Sequence, residues 1–231
     1  MSVTYHAYQN RNFRFNDYEA ISQQWRDAFS GYDPSRIARI LHLDFNDRYL
    51  YIVYFGQRYR LSLFLGTLEK EREDGTWDND LMFNESMVIY HLLTYTADHP
   101  AVSGSWVSFE ALDGVVSRRN RGGDPILDPF SAHFAGRVSA LSAACRTLAR
   151  ETGGEQIEKG DIAYRFIVFP QVSLQFVFWD RDDDFPAQTQ IFADSRVTDF
   201  IHYETLGCVI SDLLEKITAA EPDQPGRGGS E

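Results

Sequence analysis

Lysine is scarce in this chain. The 22 cationic residues include only Lys70, Lys159 and Lys216, they face 34 acidic residues, and the formal net charge is −12. Such a balance excludes a general nucleic-acid or anionic-membrane binder, because both need a positive field to gather phosphate charge. Cysteine is nearly absent too. Cys145 and Cys208 are the only two, too few for a disulfide framework or for a cysteine-based zinc or iron–sulfur centre. No apolar run approaches the ~18 residues that cross a bilayer. The opening residues, from Met1 to His6, lack the basic and apolar regions of a secretion signal, so the chain is expected in the cytoplasm. Against these absences stand 43% hydrophobic and 14% aromatic residues over 231 positions, enough to bury one substantial core.

The hydrophobic periods divide the chain into helices and hairpins. Asn16 caps a first helix, Glu19 completes a capping box, Tyr18, Ile21, Trp25 and Phe29 form its apolar stripe, and Gly31 ends it. Asp33-Pro34 opens a short helix running to about Leu41. Residues 49–55 and 58–65 read as strands joined by a turn at Gly56-Gln57. The first is apolar on both faces, with Leu50, Ile52 and Tyr54 on one and Tyr51, Val53 and Phe55 on the other, so it is expected at the centre of its sheet. Residues 69–80 are charged and read as an exposed loop. A helix follows over 85–95 with Val88, Leu92 and Tyr95 inward, then a short strand or turn at 106–112. Phe134, Val138, Leu141, Cys145 and Leu148 mark one long helix that ends at Gly153-Gly154. Strands at 162–169, 172–179 and 188–192 precede a last helix at about 205–217. Residues 221–231 contain nothing core-forming and read as a disordered tail.

The two halves resemble each other. Residues 47–66 align without gaps on 161–180, with Asp47 on Asp161, Phe55 on Phe169, Gly56 on Pro170, Gln57 on Gln171 and Phe64 on Phe178. Further on, Val88-Ile89 and Leu92-Leu93 match Val209-Ile210 and Leu213-Leu214. The predicted fold is therefore α+β, one domain over 1–220. It is built from two similar helix–β-hairpin–helix halves, about 15–97 and 130–218, whose antiparallel strands share one core. An internal duplication is the expected origin.

Several segments of the second half carry a family likeness. They are residues 160–170, Leu174 to Phe178, Trp179 to Pro186 with Asp182, Asp183 and Asp184 inside it, and Ile191-Phe192-Ala193-Asp194-Ser195. With Gly104-Ser105-Trp106 upstream, they resemble an anaerobe-associated prokaryotic family known as domain of unknown function three-seven-eight-six, best over residues 85–217. Ala193 departs from the aromatic residue expected before the aspartate. Some members carry an added cysteine-rich iron–sulfur segment that this chain lacks, so no redox role carries over. The resemblance implies that Trp179, Asp182 and Asp194 fall on the family motif, and it implies no activity.

Candidate chemistry is sparse. Asp180, Asp182, Asp183 and Asp184 crowd four carboxylates into five residues, which suggests a divalent cation. The spacing imitates an EF-hand loop, but Phe185 stands where glycine is needed and Ile191 where a bidentate Glu is needed, so a solvated loop is the better reading and no metal is expected. Arg118, Arg119 and Arg121 before Gly122-Gly123 offer an anion-binding loop without P-loop chemistry. The six histidines, His6, His42, His91, His99, His133 and His202, show no H-x-x-x-H spacing, and His91 reads as a hydrogen-bonded core-edge residue. Cys145 and Cys208 read as packing residues, and no G-x-S-x-G nucleophile elbow occurs.

With no nucleophile–base, metal or phosphate motif, the leading reading is a cytoplasmic, non-enzymatic ligand-binding or accessory protein acting through a groove between the halves. No cofactor is expected, and the partner is a small molecule or a protein. One alternative is an enzyme whose acids Asp161, Asp182 and Asp194 assemble in space. Another is a structural or interaction subunit of a larger complex. The site is expected at the end of the second hairpin, in Trp179, Asp180, Asp182 and Asp183 with a facing Asp194 and Trp106 as a wall.

Overall fold

The computed structural model describes residues 33–112 and 123–222. The helix expected at about 16–30, the arginines Arg118, Arg119 and Arg121, and residues 223–231 lie outside them. Helix α1 (Pro34–Leu41) starts where Asp33 accepts from the Ser35 N–H at 3.0 Å and ends where His42 turns left-handed at φ 51°. An antiparallel meander follows, in the order β1 (Tyr49–Tyr54), β2 (Gln57–Ser62), β3 (Leu68–Glu71) and β4 (Trp77–Asp78). Helix α2 (Phe83–Tyr95) closes the first half. The second half contains β5 (Trp106–Ser108), α3 (Leu127–Phe134), α4 (Val138–Thr152), β6 (Glu155–Gln156), β7 (Ile162–Phe169), β8 (Val172–Trp179), β9 (Gln188–Asp194) and α5 (Tyr203–Ala219). Its sheet runs β5-β9-β8-β7-β6, again antiparallel. Helices and antiparallel sheets are thus mixed as α+β, and one continuous set of buried side chains runs from Ile37 in α1 to Ile217 in α5.

Four local expectations need correction. Strand β1 is an edge strand, not a central one. Only Leu50, Ile52 and Tyr54 are buried, and Val53 is 37% exposed. Its outward aromatics serve a different purpose, because the Arg60 guanidinium lies 4.2 Å from the Tyr49 ring centre and that of Arg58 5.7 Å from Tyr51. Residues 69–80 are not one loop: they hold most of β3, the turn at 72–76 and β4. Except for Lys70, which turns inward to Glu85, the charges that pair do so across strands, Arg60 with Glu69 at 2.6 Å, Arg58 with Glu71 at 3.0 Å, and Arg72 with Asp78. The first hairpin turns at Phe55-Gly56, with φ of 46° and 76°, the two-residue turn whose twist suits a hairpin; Tyr54 and Gln57 close it. The long helix is two: Gly136, at φ 72°, separates α3 from α4. The apolar spacing survives the break because α3 packs on β9 and α4 on β7.

The halves meet reciprocally. At the first turn the Phe55 N–H donates to the Val168 carbonyl at 2.8 Å, and Gly56 lies against the Glu151 carbonyl near the end of α4. At the second turn the Gln171 amide donates to the Leu41 carbonyl at the end of α1. Helices α2 and α5 repeat the pattern. Asn84 donates to Asp212 at 3.0 Å, and His91 pairs with Thr205. Extending the match of Val88 with Val209 sets Asn84 opposite Thr205 and His91 opposite Asp212, so the two pairs are mirror partners across the interface. The hairpins are not equivalent residue for residue. The second closes at Phe169 with Val172, one position later than the ungapped match requires, and has a register irregularity between Ile167 and Phe169.

Candidate functional site

Strand β8 ends at Trp179, paired with Gln188 at the start of β9. Between them residues 180–187 make a connection that is held by its own aspartates. Asp182 Oδ1 accepts from the N–H groups of Asp184 at 2.9 Å and Phe185 at 2.7 Å, an Asx turn that fixes the loop. Asp180 Oδ1 accepts from the Gly136 N–H at 2.7 Å and from the Arg181 N–H at 2.8 Å, which ties the loop to the break between α3 and α4. Asp161 Oδ2 accepts from the Asp180 N–H at 2.7 Å. In each of these three carboxylates the other oxygen makes no hydrogen bond among the described residues.

The loop overhangs an open depression of about 1000 Å³. Trp179, Ala132, Ala135 and Phe185 give it apolar surface, while Asp128, Asp161, Asp180 and Asp182 surround one cation, Arg181. Phe185 is 70% exposed. Asp183 is exposed on the same loop outside the lining.

Asp194 is at the far end of β9. The register pairs it with Trp106 on β5, whereas Trp179 pairs with Gln188 at the other end. A seven-residue strand separates the ends by roughly 20 Å. The sequence-derived set is thus divided. Trp179, Asp180, Asp182 and Asp183 gather at one end, Trp106 and Asp194 at the other, and Asp161, Asp182 and Asp194 do not converge. Asp194 is a 9% exposed clamp whose Oδ1 accepts from the Ser103 N–H at 3.1 Å, the Ser103 hydroxyl at 2.9 Å and the Arg196 N–H at 2.9 Å, and whose Oδ2 accepts from the Gly104 N–H at 2.7 Å. Burial raises its carboxyl pKa, but these bonds outweigh burial and hold it below the usual carboxylate range.

A buried polar network in the core escaped the sequence reading. The Tyr54 hydroxyl donates to Asp212 at 2.6 Å, and the Tyr59 hydroxyl and Lys70 ammonium each donate to Glu85 at 2.9 Å. Burial lifts the Asp212 carboxyl pKa. At Glu85 burial acts the same way, yet bonds from Lys70 and Tyr59 hold its carboxyl below the ordinary value. Both phenols are driven upward, first by burial and then by the adjacent carboxylates. Burial, with the nearby His202, depresses His91 to about 3, so its imidazole is neutral. The available signal was Asp212, three residues after Val209 on an otherwise apolar face. Asn84 also donates to Asp212, so this carboxylate ties α2, α5 and β1 together.

Among the described residues, no group of three or more His, Cys, Asp or Glu side chains is placed to hold a metal ion. None of their helices is long and apolar enough to cross a membrane. Fold and site together define a mixed α+β protein with an acidic, aromatic depression at one end of its second sheet. The chain belongs to the family described as Domain of unknown function (DUF3786), whose model matches residues 33–215 and so takes in the first half as well. Neither a search of the curated proteins nor one of the solved structures finds a match.

Proposed function

We propose that the chain is a non-enzymatic, cytoplasmic ligand-binding protein, and that the depression beside Trp179 takes a small cationic molecule with an apolar body. One observation carries this reading. Asp161, Asp180 and Asp182 each use a single oxygen to fix the loop and keep the second free of hydrogen bonds among the described residues, around apolar surface and one guanidinium. Positioned carboxylates on rigid strand ends attract a cation without the loop having to reorganise. The separation of Asp194 from Asp161 and Asp182 speaks against an enzyme built on those three acids. The reciprocal turn and helix contacts support, in the same reading, the descent of both halves from one unit within a single domain.

The test uses 2-phenylethylammonium, titrated against the wild-type chain while Trp179 fluorescence is followed, with 2-phenylethanol as the uncharged control. Binding is expected for the amine alone and is expected to weaken with salt. Asp161→Asn with Asp182→Asn keeps the oxygen that accepts from the backbone and removes the charge. That double variant should lose at least tenfold in affinity with Tm unchanged. Equal binding of the alcohol, or undiminished binding by the variant, would refute the assignment.

A further inference from the structure

At the opposite end of the second sheet lies a smaller, more enclosed cavity of about 180 Å³, the liquid volume of about six waters. Trp106, Val172, Val197 and Phe200 give it aromatic and aliphatic walls, and Arg165 on β7 and Gln171 at the β7–β8 turn contribute its polar side. Arg165 Nε and Gln171 Oε1 are buried and have no hydrogen-bond partner among the described residues. Chemistry fixes the sense of both. Gln171 places its amino group on the Leu41 carbonyl, which can only accept, so the buried atom is its carbonyl oxygen, an acceptor. The outer edge of the Arg165 guanidinium pairs with Glu155 at 3.0 Å, so the buried atom is its Nε–H, a donor. The carboxylate on the wall, Asp194, does not call for a cation, because both its oxygens are occupied by the 103–104 and 196 segments.

A buried donor and a buried acceptor left unpaired on two residues that line one cavity are uncommon in folded proteins and cost free energy. A ligand that offers an acceptor to Arg165 and a donor to Gln171 relieves both at once. A primary carboxamide has that pair on one carbon, and a planar apolar body attached to it fits walls built from Trp106 and Phe200. We propose that this cavity is a binding site for a small planar carboxamide, held by Arg165 Nε–H to its carbonyl oxygen and by its N–H to Gln171 Oε1. The site is separate from the acidic depression and stands whether or not that depression binds a cation.

The probe is benzamide, titrated into isotope-labelled full chain and observed by NMR at the Trp106 indole N–H and the Gln171 side-chain amide. Acetophenone has the same shape with a methyl group in place of the amino group. Saturable shifts at both reporters are expected with benzamide at millimolar concentration. Acetophenone should bind at least tenfold more weakly, because it leaves Gln171 unpaired. Arg165→Lys keeps a cation for Glu155 but has no N–H at the Nε position, and it should also weaken benzamide at least tenfold. Absence of a saturable shift at Trp106, as for a cavity that holds only water, overturns the proposal. So does equal binding of acetophenone, or undiminished binding by R165K. Should that variant fail to fold, the comparison of benzamide with acetophenone on the wild-type chain decides alone.

Discussion

Asp194 shows how much a single carboxylate can organise. Two oxygens accept four hydrogen bonds from Ser103, Gly104 and Arg196, so one side chain joins the end of β9 to the segment that enters β5. Asp194→Asn is expected to destabilise the chain by about 2 kcal/mol, because its amide nitrogen would face the Gly104 N–H, donor against donor. The pH dependence has a definite sign. The folded carboxyl titrates below its unfolded value of about 3.9, so its contribution is complete above that pH and is lost as the pH falls through the folded value. The Tm gap between wild type and variant should therefore be wide at neutral pH and narrow in acid, and melts at both pH values measure it. The difference is the right quantity, since Asp212, raised by burial, acts in the opposite direction and cancels. From sequence, Asp194 was recognisable as a significant position, but its task was not. Whether an aspartate faces a ligand or a ring of backbone N–H groups depends on segments 90 residues away in the chain, as Gly104 and Asp194 show.

At the scale of elements, local chemistry dictates what was readable. Strands β7 and β8 lie where alternation and flanking Gly160 and Pro170 put them, and α4 ends at Gly153 with φ 75°. The β3–β4 ribbon was hidden because its pattern is one of charges that meet only after β2 has been paired. The α3–α4 break was hidden because Phe134 and Val138 keep helical spacing across Gly136. The turn of the first hairpin offers a controlled comparison. Gly75 and Gly56 both have positive φ, 79° and 76°, but a Cβ on Gly75 would meet nothing within 4 Å while one on Gly56 would meet the Glu151 backbone. Gly75→Ala should cost about 1 kcal/mol, the conformational penalty alone. Gly56→Ala adds a collision with main chain from the other half and should cost about 3 kcal/mol or more. Denaturant unfolding of the two variants separates the terms.

Over the whole molecule, composition sufficed for one core and the hydrophobic periods for a mixed fold, and the family resemblance extends over both halves. What the linear pattern could not contain was register. Trp179 and Asp194 look adjacent along the chain, and β9 carries them to opposite ends of a sheet, turning one imagined site into two concavities. The reciprocal interface has its own consequence. Position 84 of α2 meets 212 of α5 while 91 meets 205, the arrangement that a two-fold axis produces between separate subunits. The peptide connection between the halves then supplies effective concentration in addition to contacts such as that of the Ala97 N–H with the Asp199 carbonyl at 2.8 Å. A chain cut at the exposed Asp98-His99 step should stay assembled and lose stability only on dilution, which size-exclusion chromatography of the nicked protein at falling concentration would record. In these contacts the two halves meet as the two subunits of a dimer would.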